Sequence, residues 1–214
     1  ATKLTVRTEH EHHHGHEGHH HGRSAAELKE IVAAGELDEA VKQKAIAVIN
    51  RLAEAEAKIH DMAPDEIHFH EVGGLDTVVD IVGAVVGIHE LKIERLYCSP
   101  LPLGHGYVDC AHGRLPLPAP ATLELLKGLP TVGVEIEGET VTPTGAVLAA
   151  MLADEFGGPP PLIVDQVGYG AGSADFDPVP NVVRLWLGEP GPGTARAEPG
   201  GPVVDRVVPL EANV

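Results

Sequence analysis

Histidines crowd one short stretch near the start of this 214-residue chain. Eight of the twelve residues from 10 to 21 are histidine, with glutamates and glycines between them. Neutral imidazole commonly binds nickel, copper and zinc, so the stretch predicts a flexible metal-gathering arm over residues 1–23. An expression tag is the alternative, but tags are usually uninterrupted, and a native-looking helix follows at once. The candidate metal ligands of the arm are His10, His12, His13, His14, His16, His19, His20 and His21.

A second group of candidate ligands occupies residues 68–71, which read His-Phe-His-Glu. The segment is predicted to be extended, and side chains alternate along a strand, so His68 and His70 point to the same side. Together with Glu71 they can supply two or three ligands to one metal ion. The spacing matches no established zinc signature, and a histidine pair near a turn is often structural.

Two carboxylates follow in a helix that is otherwise apolar. Asp80 lies one turn after Asp76, and its apolar neighbours predict that it is buried. A buried carboxylate costs several kcal/mol unless a cation, a metal or several donors accompany it. Asp80 is therefore a candidate for metal or substrate contact, and Asp76 is a secondary candidate. The alternatives are that Asp76 caps the helix and that Asp80 pairs with a buried arginine or backbone amides.

Cys110 and His112, again two residues apart, lie in a glycine-rich region. A thiolate beside an imidazole suits nickel, copper or zinc, which makes the pair a secondary metal or substrate candidate. A glycine-rich loop with a buried cysteine is the alternative.

Two segments could hold a phosphate. Thr142 and Thr144 stand where a helix is predicted to begin, and helix N-termini bind anions, although a capping role for Thr144 is the alternative. The glycine-rich segment 168–172 resembles a nucleotide loop but lacks the full spacing and a following helix. No Ser-His-Asp order and no Walker motif is present.

The elements that must position these residues alternate between helix and strand. A capping-box spacing begins a helix at Ser24, and apolar residues at helical intervals predict a second helix over 38–60 and a buried third over 76–91. Later segments predict strands over 93–98 and 132–141 and a last strand over 182–187.

This pattern predicts an α/β fold, with α+β as the alternative, in which helices pack on a mixed sheet. The core domain is predicted over 24–187. A Pro/Gly linker is predicted over 188–202, and the start of a missing C-terminal domain over 203–214.

Composition restricts the class of partner. The formal charge of −17 argues against nucleic acid and anionic membranes, since their phosphates would be repelled. No apolar run predicts a transmembrane span. The two cysteines provide no disulfide framework, so we expect a cytoplasmic protein.

Several long motifs, in order, resemble one family. They are the histidine-rich arm, A-E-A-K-I-H, H-F-H-E-V-G-x-x-D-T-V-V-D-I-V-G, S-P-L-P-L-G-H-G-Y-V, A-H-G-R-L-P-L-P-A-P-A-T, V-T-P-T-G-A and G-Y-G-A-G. Over residues 10–214 the chain is similar to the LarC-type nickel insertion proteins, CTP-dependent cyclometallases of the lyase class. Two features depart from the family pattern. The opening D-x-x-x-G-x-x-G-D-M segment is not found here, and the L-E-T-N start of the C-terminal domain is matched only by residues 210–213.

The resemblance implies that nickel is inserted into pyridinium-3,5-bisthiocarboxylic acid mononucleotide, which completes the nickel-pincer nucleotide cofactor of lactate racemase. It implies that CTP, with magnesium or manganese, binds in the C-terminal domain, so this portion alone would be incomplete. Apo lactate racemase or a similar client, and further copies of the chain, are the expected protein partners.

Within that activity the arm would supply nickel, and His68, His70, Glu71 and Asp80 would hold the metal or orient the precursor. Asp80 or His70 would remove the ring proton. A non-catalytic nickel storage or chaperone protein is the alternative function. A metal-dependent hydrolase is disfavoured because no water-activating triad stands out.

Overall fold

The structure is a computed structural model, and it describes residues 1–6, 23–69, 74–110, 113–177, 179–192 and 207–213. Five α-helices lie in these ranges: α1 (Ala25–Ala34), α2 (Glu39–His60), α3 (Leu75–Glu90), α4 (Pro120–Leu125) and α5 (Pro143–Leu152). A short 3₁₀-helix, Pro64–Glu66, follows α2. The first three α-helices confirm the predicted ones, and most of their ends agree with the prediction to within one residue.

Nine strands complete the described secondary structure: β1 (Arg95–Cys98), β2 (Leu101–His105), β3 (Tyr107–Cys110), β4 (Gly113–Pro116), β5 (Thr131–Glu137), β6 (Glu155–Phe156), β7 (Leu162–Ala171), β8 (Val182–Pro190) and β9 (Val207–Asn213). Five of them form a sheet in the order β6-β1-β9-β8-β7. Its pairs with β1 are parallel, and its other pairs are antiparallel. This mixed sheet beside packed helices confirms the predicted α/β class.

Helix α2 is the centre of the main hydrophobic core. Its side chains Val48, Ile49 and Leu52 are fully buried, and they repeat at helical intervals. Leu28 of α1 and Ile81 of α3 are fully buried in the same core. The sequence pattern therefore identified the faces by which the first three helices pack together.

Strand β9 lies between β1 and β8. The prediction that 182–187 is the last strand is therefore wrong, because residues 207–213 pair with both neighbours. Glycine and proline precede this segment, and Pro209 within it lacks a backbone N–H, which argues against an inner strand. The division into a core (24–187), a linker (188–202) and a further domain (203–214) stays a prediction.

Helix α3 is less buried than its composition predicts. Thr77, Val78, Ile81 and Val85 are buried, whereas the side bearing Gly83 is open. Across the described ranges, none of the helices has the length and apolar content that a membrane span requires.

Candidate metal and nucleotide site

Residues 67–69, which include the first histidine of the 68–71 motif, lie beside Arg23, the last residue of the predicted arm. The backbone N–H of Phe69 donates to the Arg23 carbonyl over 3.1 Å, and the N–H of Ala25 donates to the Ile67 carbonyl over 3.2 Å. Ser24 and His68 form the antiparallel bridge between these two bonds. The chain that enters α1 from the arm therefore lies directly against the segment 67–69.

Burial alternates along this segment as the extended prediction requires. Ile67 and Phe69 are each 2% exposed and belong to the main core, whereas His68 between them is exposed. The two apolar side chains hold the backbone, and His68 stays on the solvent side with Ser24. His70 and Glu71 lie outside the described residues, as do the eight arm histidines, so their roles stay predictions.

A capping box fixes the point where the arm meets α1. The Glu27 amide donates to Ser24 Oγ over 3.2 Å, and the Ser24 amide donates to Glu27 Oε2 over 2.6 Å. The hydrogen bonds from the Ser24 backbone and side chain lower the pKa of the Glu27 carboxyl, and nearby His68 lowers it further. The predicted helix start is confirmed. The structure also places it beside His68, which the sequence did not predict.

We expect Ser24→Ala to reduce the free energy of unfolding by about 1 kcal/mol, because it removes the side-chain half of the capping box. Urea unfolding followed by circular dichroism measures the change. Ser173→Ala, in an exposed position outside the helices, is the matched control and should leave stability within experimental error. An equal loss in both variants would contradict a specific capping effect.

The two carboxylates of α3 lie at the surface. Asp80 is exposed, so the prediction that it is buried is wrong. The argument that a buried carboxylate needs a cation, a metal or several donors therefore does not apply to it. Gly74, not Asp76, is the residue that caps the helix. Partial desolvation raises the pKa of Asp80, and the negative charge of Asp76 one turn away raises it further. An exposed pair of carboxylates one turn apart can attract a cation.

We expect Asp76→Asn to lower the pKa of Asp80 towards the value of an isolated aspartate, because the substitution removes the neighbouring negative charge. A carboxyl ¹³C NMR titration of Asp80 measures this shift. Because the folded-state pKa is raised, ionisation of Asp80 lowers stability as pH rises above the unfolded value of about 3.9. Asp65→Asn is the control, and an unchanged titration of Asp80 in Asp76→Asn would contradict the coupling.

Cys110 lies in the β3–β4 hairpin. It is half-buried, and its Sγ donates to the Gly113 carbonyl over 3.1 Å. The guanidinium carbon of Arg114 lies 4.6 Å from the centre of the Tyr107 ring on the paired strand. His112, the expected partner of Cys110, lies outside the described residues. The other cysteine, Cys98, is buried, and burial raises its pKa to about 11, which disfavours the thiolate that a metal needs.

Neither candidate phosphate segment keeps an open anion site. Thr142, rather than Thr144, caps α5: its Oγ1 accepts a hydrogen bond from the Gly145 amide over 3.1 Å. Thr144 is buried at 8% exposure. The segment 168–171 lies within strand β7 and is no loop. Neither of these two segments therefore forms the phosphate site that was predicted for it.

The described residues assemble no group of three or more histidine, cysteine, aspartate or glutamate side chains that could hold a metal. What they do show is the position of His68 beside the arm. The fold and this arrangement define an α/β protein with an exposed histidine, His68, beside the residue at which the predicted arm ends.

Comparison with known proteins specifies the family. The model of the nickel insertion protein family matches residues 1–214, so the chain belongs to this family. A relative from Desulfitobacterium hafniense, named pyridinium-3,5-bisthiocarboxylic acid mononucleotide nickel insertion protein, is 48% identical over 178 residues, which are 83% of this chain and 44% of the relative. Relatives from Geotalea daltonii and Dictyoglomus thermophilum, whose names also assign them to nickel insertion, are 50% and 44% identical. Their matches cover 90% and 92% of this chain and 47% and 48% of the relatives.

No solved structure matches the chain. The chain spans about half the length of the curated relatives that it matches.

Proposed function

We propose that this chain is the nickel-receiving part of an enzyme that inserts nickel into pyridinium-3,5-bisthiocarboxylic acid mononucleotide. Membership of the nickel insertion family and the name of the Desulfitobacterium hafniense relative support this proposal. The single structural observation that carries it is the pairing of Arg23 and Ala25 with Phe69 and Ile67.

This pairing supports the proposal because it sets Arg23, the last residue of the arm, against Phe69 of the second histidine motif. Arg23 follows the last arm histidine by two residues, and Phe69 precedes His70 by one. A metal ion bound by the arm is thereby held at high effective concentration near His68 and His70. Several weak imidazole sites favour exchange over permanent retention, which suits delivery of an ion.

The chemistry requires the loss of one ring proton. A carbon–nickel bond forms as the carbon–hydrogen bond breaks, and the proton passes to a base on the protein. We assign this base to Asp80 or His70, and metal binding or precursor orientation to His68, His70, Glu71 and Asp80. Exposure of Asp80 leaves its carboxylate accessible to a bound nucleotide.

We include CTP in the same proposal, as the source of energy for nickel insertion. CTP with magnesium or manganese would bind a C-terminal domain outside these 214 residues, since the two candidate phosphate segments of this chain are occupied by a cap and a strand. The proposal extends to a cytoplasmic homo-oligomer that passes the completed cofactor to apo lactate racemase or a similar client.

The test is a reconstituted reaction of the full-length protein with nickel, the precursor, CTP and magnesium or manganese. Mass spectrometry of the nucleotide should show the mass of nickel added and the displaced protons lost. Nickel binding without any nickel-containing nucleotide would instead support the alternative, a storage or chaperone protein, for which the eight-histidine arm alone would suffice.

A further inference from the structure

A cavity of about 520 Å³ lies between α3, α5 and the sheet. Its walls are aliphatic, and they include Ile88, Leu91, Leu148, Leu152, Leu185 and Leu187. Gln166 is the single amide or charged side chain among the described residues that line it. We call this cavity the apolar groove. An exposed apolar surface of this kind marks a place where another element packs.

Three glycines leave bare backbone on the walls of the apolar groove. A Cβ added at Gly83 or Gly87 of α3, or at Gly168 of β7, would meet no atom within 4 Å. Glycine lets a second backbone approach closely. The groove also presents no charged side chain to hold a phosphate, so its described walls fit an apolar helix better than a nucleotide.

The position of Thr2 indicates where such a helix could come from. Thr2 pairs in parallel with Gly170: its N–H donates to the Tyr169 carbonyl, and its carbonyl accepts from Ala171, both over 2.9 Å. Residues that precede Thr2 in this register would continue beside Gly168, on the wall of the groove. The matched relatives are about twice as long as this chain, so the full-length protein has further residues to place.

We propose that, in the full-length protein, an apolar helix from the polypeptide preceding Ala1 packs into the apolar groove. It covers the open side of α3 and completes the layer of helices on this face of the sheet. The proposal concerns packing alone, so its test does not depend on whether the protein inserts nickel.

Photo-cross-linking in the full-length protein tests this proposal. Leu185, 38% exposed, is replaced by p-benzoylphenylalanine, whose ring the groove can hold. Leu123 of α4, 47% exposed and outside the described lining, receives the same probe as the matched control. If the Leu185 variant does not fold, Val183, 40% exposed on the same wall, carries the probe instead.

The expected result is an intramolecular cross-link from the groove position to a peptide that precedes Ala1. The Leu123 control should not form this cross-link. A cross-link to a peptide that follows Val214 or to a second copy of the chain would overturn the proposal. So would the absence of any cross-link from a folded groove variant.

Discussion

Replacing Asp80 by asparagine in the full-length protein is expected to slow nickel insertion about 100-fold or more, the range typical of a lost general base. Asparagine keeps the size of the side chain but neither accepts the ring proton nor carries the charge that attracts nickel. His70→Ala is expected to have a loss of similar size, because the imidazole is the other candidate base and a proposed ligand. Single-turnover assays with excess enzyme, read by mass spectrometry of the nucleotide, measure both effects.

Helix α3 supplies a matched control for this comparison. Glu90→Gln also removes an exposed carboxylate, at the opposite end of the helix from Asp80, and should retain the parental rate. Circular dichroism should show that all three variants stay folded. Parental rates in both Asp80→Asn and His70→Ala would exclude the proposed chemistry at this part of the chain.

Substituting serine for all eight arm histidines should lower the insertion rate about 100-fold when nickel is scarce, while at saturating nickel the rate stays within about twofold. We expect an arm that ends next to His68 to raise the local concentration of the ion, because such tethering typically gains 10²–10⁴-fold in occupancy. Free nickel at high concentration makes that gain unnecessary. Initial rates over a range of buffered nickel concentrations measure the difference.

The control for the arm variant is a variant that removes exposed histidines elsewhere in the chain. His89 and His105 are exposed and lie outside both histidine motifs, so His89→Ala/His105→Ala should leave the nickel dependence unchanged. An arm variant that loses the same fraction of activity at scarce and saturating nickel would show that the arm is not a supply device.

Local sequence signals predicted the helical part of the fold. Ser24 and Glu27 have the spacing of a capping box, and the structure contains both of its hydrogen bonds. Val48, Ile49 and Leu52 repeat at helical intervals and are buried. These features depend on neighbours only a few residues apart, which is why a single sequence can reveal them.

Contacts between residues far apart in the sequence could not be predicted in this way. Apolar neighbours predicted a buried Asp80, but a helix can be apolar on two sides for two different reasons, and α3 faces both the core and the apolar groove. The inner strand β9 was missed because it follows a Gly/Pro-rich stretch and contains Pro209, so residues 203–214 were predicted to begin a further domain. The contact of Arg23 with Phe69 joins residues 46 apart, and no local pattern encodes it.

Nickel titration of the serine-substituted arm variant, followed by ¹H–¹⁵N NMR, tests most directly whether the segment beside the arm receives the metal. Paramagnetic nickel at one equivalent should selectively broaden the amide signals of Ile67, His68 and Phe69 and leave those of the β3–β4 hairpin sharp. His68→Ala in the same background should weaken this broadening. Unchanged signals at 67–69, or broadening at the hairpin alone, would contradict the account and leave the arm as a storage device.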